Sequence, residues 1–419
     1  MDFTEDSKKL ISLFSENVKR LPNSFYLKKK LVKNTMLILR KELNDTMKQV
    51  NTLLKNDKIK QKLIIYDERK RSALPPYLDS IFLAPYIKNY IERYFYGYMS
   101  YEFTIYNKHV NIMFGLLHDG DDTKYQMQNN SYIKKMLLWL LMAMKHSKDQ
   151  CGKKLTIHCF LTPFKKKIPE HSYHIISHEH CNSGLTTPCK KNGSIFIFRK
   201  EEFLKVFIHE TFHILGLDFS SLNTDLLKMK MFSIFPIQSE MVCEEAYTEF
   251  WAVLMNAIIL SYFETIDKPN KDFLDYLDVM VRLENAFSIY QLNKILSFMN
   301  LSYQSLYLND ETSVAARLYL YREKTNVFAY YILKTILLFH SDAFIKWCCM
   351  NNVGVFDFFN SAATVDEFGS FIEEHYASDD FLRQIDLSRF TDFVGDNKEL
   401  LKHEKFFKET MRMTVCELN

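Results

Sequence analysis

Near the middle of this 419-residue chain stands the run His209-Glu210-Thr211-Phe212-His213, two histidines four residues apart with a glutamate after the first. Positions i and i+4 of an α-helix share one face, one turn apart, so both imidazoles can reach one divalent ion. Imidazole nitrogen binds zinc at about 2.0–2.1 Å. Glu210 lies beside that face. A water acidified by the ion, to a pKa of about 7, can pass its proton to such a carboxylate. One helical turn thus offers two ligands and a general base. Its neighbours, among them Phe203, Val206, Phe207, Phe212 and Leu215, are apolar on nearly all sides, so the helix is expected to run through the centre of a domain. Polar groups buried without partners cost about 1–3 kcal/mol each. Three of them in an apolar helix need a partner, which two chance histidines on a surface helix do not.

Two ligands do not hold a catalytic ion, so a third is expected. The continuation His213-Ile214-Leu215-Gly216-Leu217-Asp218-Phe219 is similar to the metzincin pattern HExxHxxGxxH up to the glycine. That family's third histidine falls on Phe219, which cannot bind metal. Asp218, one position early, is left as a ligand, as a partner of a ligating histidine or as a helix-end residue. The other source is Cys243-Glu244-Glu245-Ala246-Tyr247-Thr248-Glu249, which resembles the glutamate helix of the gluzincins, the thermolysin-like HExxH zinc peptidases. The resemblance implies Glu245 as the third ligand and Glu249 as the acid supporting a ligating histidine, with Glu244 as the alternative ligand. An acid bonded to a ligating histidine fixes its tautomer. Acids at a helix N-terminus also complement its dipole, but these lead straight into the apolar run Phe250 to Leu260.

The motifs cover about residues 180 to 252, and the rest of the gluzincin pattern gives further expectations. An edge strand before the HExxH helix binds substrate backbone in that family. Asn182, Ser183 and Gly184 are the candidates here, because unpaired edge groups accept an extended peptide and glycine permits close approach. An ordinary connecting loop is the competing reading. A tyrosine often stabilises the oxyanion, and Tyr330, in the polar and aromatic stretch Tyr321 to Tyr331, is the candidate against a plain core role. The stretch Ser221 to Ser239 is longer than the thermolysin spacing and is expected to be a packing segment or a flap. His171, His174, His178, His180, Cys181 and Cys189 are the material for a second, structural zinc site, though with weak spacing. The motif also looks like that of uncharacterised metallopeptidases of large eukaryotic DNA viruses, and the Lys-, Asn-, Ile- and Phe-rich composition suits an AT-rich genome.

The elements that must position these groups follow from pattern. Residues 1 to about 70 read as lysine-rich helices, with Lys28, Lys29, Lys30 and Lys33 on a solvated face. Leu74-Pro75-Pro76 reads as a boundary and Tyr101 to Phe114 as a hairpin about Asn107-Lys108. Asp119 to Asp122 reads as a turn and Tyr132 to His146 as a helix. Strands are expected at Leu155 to Leu161 and Ser194 to Phe198, with His178 to Thr187 extended. Glu201 to Leu215 is the motif helix, and helices follow from about 240. The fold class expected is α+β: a zincin-like mixed sheet with the HExxH helix, N-terminal helices and a mostly helical C-terminal region. The divisions are 1–74, 75–265 and 266–419.

Composition bounds the function. Apolar residues make up 47% of the chain and Gly and Pro are few, which disfavours disorder. A net charge of +3 is too mild to indicate nucleic acid. The eight cysteines lack repeating CxxC and are read as reduced thiols. The N-terminus has no basic-then-apolar leader, and the apolar stretches Met136 to Met144 and Phe250 to Phe263 read as buried helices rather than membrane spans. Together these readings predict an intracellular, cytoplasmic zinc metallopeptidase, in the host cytoplasm or the virion if viral. It would carry Zn2+ and act on a peptide or protein substrate, without nucleic acid or membrane insertion. The catalytic pair is expected to be Glu210 and Tyr330. The competing class is a zincin-fold scaffold or interaction protein with weak or absent activity.

Overall fold

The hairpin is where the pattern is cleanest, and a computed structural model, describing residues 3–15, 29–55, 58–66, 76–117, 122–387 and 398–418, bears it out. Strands β2 (Phe95–Ile105) and β3 (Lys108–Leu117) pair antiparallel with Ile105 opposite Lys108. The turn residues are Tyr106 and Asn107, both at positive φ (49° and 58°), one position before the expected pair. Two such residues twist the backbone in the sense that a two-residue hairpin demands.

The chain divides into two compact units, one formed by residues 38–166 and 182–221, the other by residues 1–37, 167–181 and 222–419. The α+β class holds: a six-stranded mixed sheet and a mostly helical C-terminal region.

The first unit holds that sheet, in the order β1 (Lys60–Ile65), β2, β3, β4 (Lys154–Thr162), β7 (Asn192–Arg199) and β6 (Gly184–Thr186). β3, β4 and β7 run parallel, and β1 and β6 are antiparallel edges. β1 corrects the all-helical reading of the first 70 residues. Its lysines Lys60 and Lys62 precede Leu63, Ile64 and Ile65, and it pairs along the edge that β2 offers. One face of the sheet is covered by α3 (Pro85–Tyr94), whose Ile87 and Ile91 pack with Tyr98, Phe160, Phe196 and Phe198. On the other, Trp139 of α4 (Asp122–His146) stacks on Phe212 of α6 (Phe203–Leu215) at 5.5 Å and donates its indole N–H to Thr211.

The second unit is helical. It contains α1 (Glu5–Ser15), the start of α2 (Lys30–Lys55), the single turn α5 (His178–Cys181), α7 (Asp225–Ile234), α8 (Cys243–Glu264) and α9 (Asn270–Phe298). The turn α5 corrects the extended reading over His178 to Cys181, while Gly184 to Thr186 are extended as expected, in β6. The segment Ser221 to Ser239 is largely α7, which buries Leu227, Met231 and Ile234 while Leu226 and Met229 stay exposed. Helix α8 is long and apolar enough to cross a membrane, and 94% of its apolar window is buried inside the protein. Lys29 pairs with Asp342, and Lys30 and Lys33 are exposed. Lys28, Leu74, Pro75 and Asp119 to Asp121 lie outside the described residues.

Buried polar side chains of this unit tie down the segment Thr410–Leu418. Glu284 on α9 accepts from the Thr414 hydroxyl and from the N–H groups of Val415 (3.0 Å) and Cys416 (3.0 Å). Gln291 and Lys294 donate to carbonyls of the same stretch, and Tyr331 donates to Met411 O at 2.7 Å. An orphaned buried donor costs about 1–3 kcal/mol. Glu284→Ala takes the acceptor from the Thr414 hydroxyl and the Val415 N–H, while the Cys416 N–H keeps Thr414 Oγ1 at 3.2 Å. Thermal or denaturant unfolding is expected to show a loss of about 2 kcal/mol or more, and a loss under about 1 kcal/mol would mean that the segment is not held this way.

Candidate metal centre

Helix α6 begins directly after β7, so the sheet fixes where the motif starts. Arg199, fully buried at the end of β7, donates to Asn182 O (3.1 Å), Lys165 O (2.9 Å) and Tyr86 Oη (3.1 Å). Glu202 takes a left-handed conformation (φ 59°) before the first turn, and its carboxylate pairs with the buried Lys166. At the other end Gly216 (φ 66°) closes the helix. Its N–H donates to His213 O (3.1 Å) and that of Leu217 to Phe212 O (2.9 Å). This is the Schellman arrangement, which wants glycine at the left-handed position. The reversal carries the chain back so that Asp218 meets the helix it has just left.

Cys151 and Cys189 form a disulfide, which corrects the reading of eight free thiols. Their separation of 38 residues hides the pair from local spacing. The bond lies against the helix end: a Cβ on Gly216 would stand 3.1 Å from Cys151 Sγ, and Cys189 N–H donates to His213 O at 3.0 Å. It also removes Cys189 from the candidates for a second metal site.

His209, Glu210 and His213 are 7%, 6% and 6% exposed. Asp218, 1% exposed, bonds His213 Nδ1 through Oδ2, while its Oδ1 accepts from the Ser220 N–H (3.1 Å) and hydroxyl (2.6 Å). Burial pushes the Asp218 carboxyl up, but the charge and hydrogen bond of His213, then the bonds from Ser220, outweigh it and hold the carboxyl below its ordinary range. With the carboxylate as acceptor, the proton of a neutral His213 sits on Nδ1, and Nε2 then turns a lone pair outward. That Nε2 lies 3.2 Å from His209 Nε2. Two nitrogens at about 2.05 Å from one tetrahedral ion stand about 3.3 Å apart, so the spacing suits a shared ion.

Glu245, partly buried in the first turn of α8, completes the set. One ligand atom from each of His209, His213 and Glu245 lies within 4.8 Å of the others, the one such group of three or more among the described residues. Glu244, the alternative, is not in it, nor is Asp218, which serves His213 instead. The histidines and Cys181 of the 171–181 stretch form no comparable group; His180 Nδ1 accepts from Ser177 N–H at 3.0 Å. Phe219 is fully buried, and Glu249 is 1% exposed on α8. Tyr330 is 8% exposed in a π-helical segment, Phe328–Leu333, with its N–H donating to Asn326 O at 2.9 Å.

Asn182, Ser183 and Gly184 lead into β6, an edge strand antiparallel to β7. Ser183 O accepts from Phe198 N–H at 2.9 Å. A Cβ on Gly184 would meet Glu210 Oε1 at 2.8 Å and Val206 Cγ1 at 2.9 Å, so a side chain there would push the carboxylate and Val206 aside. Sequence reasoning missed Arg199 as the anchor of Asn182 and the disulfide at the helix end. An arginine closing an apolar strand was the available signal for the first. For the disulfide there was none.

No family model, no curated protein and no solved structure matches this chain. The metal reading therefore stands on the His-His-Glu group itself, which can hold an ion with nitrogen and carboxylate donors. Removing the carboxylate behind a ligating histidine typically weakens metal binding about 10–100-fold. Asp218→Ala is expected to do so in a competition titration against a chelating dye, and an unchanged affinity would reduce Asp218 to a helix-end residue.

Proposed function

We propose that this chain is a zinc-dependent peptidase of the gluzincin type. The observation that carries the reading is the convergence of His209, His213 and Glu245 beside a buried Glu210 that touches an edge strand. Two imidazoles and one carboxylate are the donor set of hydrolytic zinc sites, which leave one position open. When bound, the ion supplies Lewis acidity toward a scissile carbonyl and acidifies water.

The residues divide the remaining work. Glu210 takes the proton of the attacking water and returns it to the leaving amine. Asp218 holds His213 in the tautomer that presents Nε2, and Glu249 serves as a second supporting acid on α8. The backbone from Asn182 to Gly184 receives an extended peptide by strand addition, next to Glu210. Tyr330 donates to the oxyanion. The π-helical segment it occupies favours the assignment, because such local distortions concentrate at functional sites. The substrate proposed is a peptide or protein.

Elemental analysis of the purified protein tests the metal first. One zinc per chain is expected, lost in Glu245→Ala and kept in Phe219→Ala. No zinc in a folded wild type purified without chelator would overturn the peptidase reading and leave the scaffold. Glu210→Gln is expected to keep zinc and lose about 10²–10⁴-fold in peptide-library hydrolysis. Full activity in that variant would remove Glu210 from the mechanism. Gly184→Ala, which pushes a methyl into Glu210, is expected to keep its zinc and lose at least about tenfold in kcat; a wild-type rate would mean that the strand and the carboxylate are not coupled.

A further inference from the structure

The stretch Tyr321–Tyr331 contains a carboxylate that the proposed mechanism does not use. Glu323 lies on β8 (Glu323–Lys324), which pairs in parallel with β5 (Ile176–Ser177), Ile176 opposite Glu323. Its Oε2 accepts two bonds, from Phe328 N–H at 2.8 Å and from the Tyr321 hydroxyl at 2.9 Å. The Ser239 side chain bonds the same carboxyl. Two of these partners lie on or next to elements that carry residues of the proposed site. Phe328 opens the π-helical segment that contains Tyr330. Ser239 lies in the link between α7 and α8, where Met241 takes a positive φ of 51° just before Glu245. β5 leads into α5 and on toward Asn182.

A carboxylate at the start of a helical segment also meets the positive end of its dipole. The Glu323 side chain therefore ties the entry of the Tyr330 segment to the link that leads to Glu245, and its backbone pairs with the strand that precedes the edge segment. We infer that Glu323 is a positioning residue of the proposed peptidase site, a latch that sets the Tyr330 segment and the α7–α8 link against β8. The inference rests on the peptidase reading for its purpose, but not for its measurement.

The latch has a charge state with a defined sign. Burial pushes the Glu323 carboxyl up from its ordinary 4.5 to about 7, with the bonds from Ser239, Phe328 and Tyr321 opposing and the neighbouring Glu240 adding to it. Tyr321 and Glu240 are the titratable groups acting on it. Both short bonds go to Oε2, so a proton on Oε1 leaves them intact. An opening that exposes Glu323 to water returns its pKa to the ordinary value. The closed form therefore holds the proton between about 4.5 and about 7, and opening becomes easier as pH rises across that window.

Hydrogen exchange of the full chain, as protection factors for the Phe328 to Tyr331 amides at pH 5.5 and pH 8, reads the latch directly. In wild type, protection is expected to fall at least about tenfold between the two pH values. Glu323→Gln, neutral and of the same shape, is expected to keep high protection at both. Glu323→Ala is expected to lose it at both, while zinc per chain stays at the wild-type value and kcat for peptide hydrolysis falls. Unchanged protection in Glu323→Ala, or the wild-type pH dependence persisting in Glu323→Gln, would overturn the inference. A wild type without zinc but with this exchange pattern would instead fail the peptidase reading and leave the latch in place.

Discussion

The Nε2 atoms of His209 and His213 face one another at 3.2 Å, and much of the sheet-bearing unit serves to keep them there. Two imidazole lone pairs at that distance repel unless a cation or a proton lies between them. In neutral His213 the Asp218 bond favours the proton on Nδ1, which leaves the Nε2 lone pair for an ion. Asp218 can do this only because Gly216 reverses the chain at positive φ, and Gly216 sits under a disulfide where a side chain has no room. The local geometry thus runs from one glycine, through one carboxylate, to the ligand face.

The same economy governs Glu210. An acid 6% exposed in an apolar helix needs a wall that does not exclude it, and the backbone of Gly184 provides one. Arg199 holds the residue two positions earlier through Asn182 O, so the edge strand is anchored at its entry as well as by pairing with β7. A strand with one edge paired and the other open presents backbone donors and acceptors next to the carboxylate. The chemistry proposed for the chain needs this juxtaposition more than any single side chain. In the helical unit, buried Glu284, Gln291 and Lys294 hold the Thr410–Leu418 segment by the same logic of charged or polar groups paid in hydrogen bonds to backbone.

Periodicity and motif spacing made a good part of this legible. The HExxH turn declared its own face, the hairpin alternated, and the apolar run after Glu249 announced a buried helix. The less legible parts share one cause, which is that their partners are remote in sequence. β1 is short, with lysines at Lys60 and Lys62 before Leu63 to Ile65, and its partner β2 begins thirty residues further on. The Cys151–Cys189 bond closes 38 residues. Residues 178–181 look extended by composition and instead make one helical turn, with His180 Nδ1 taking the Ser177 N–H.

The sequence by itself determined the donors and their local order: two histidines and an acid on one helical turn, a glycine where the helix must stop, and acids opening a later apolar helix. Those follow from the 3.6-residue period and from the backbone freedom of glycine, which act within a few residues. Tertiary structure alone decided which acid does what. Asp218 and Glu245 are both carboxylates near the motif in one sense or another, yet the chain reversal aims Asp218 at Nδ1 of His213, while Glu245 joins the two histidines in the group of three. The choice between Glu244 and Glu245 likewise depends on the rotation of α8, set by side chains packed along its whole length, and no window of sequence contains that sum.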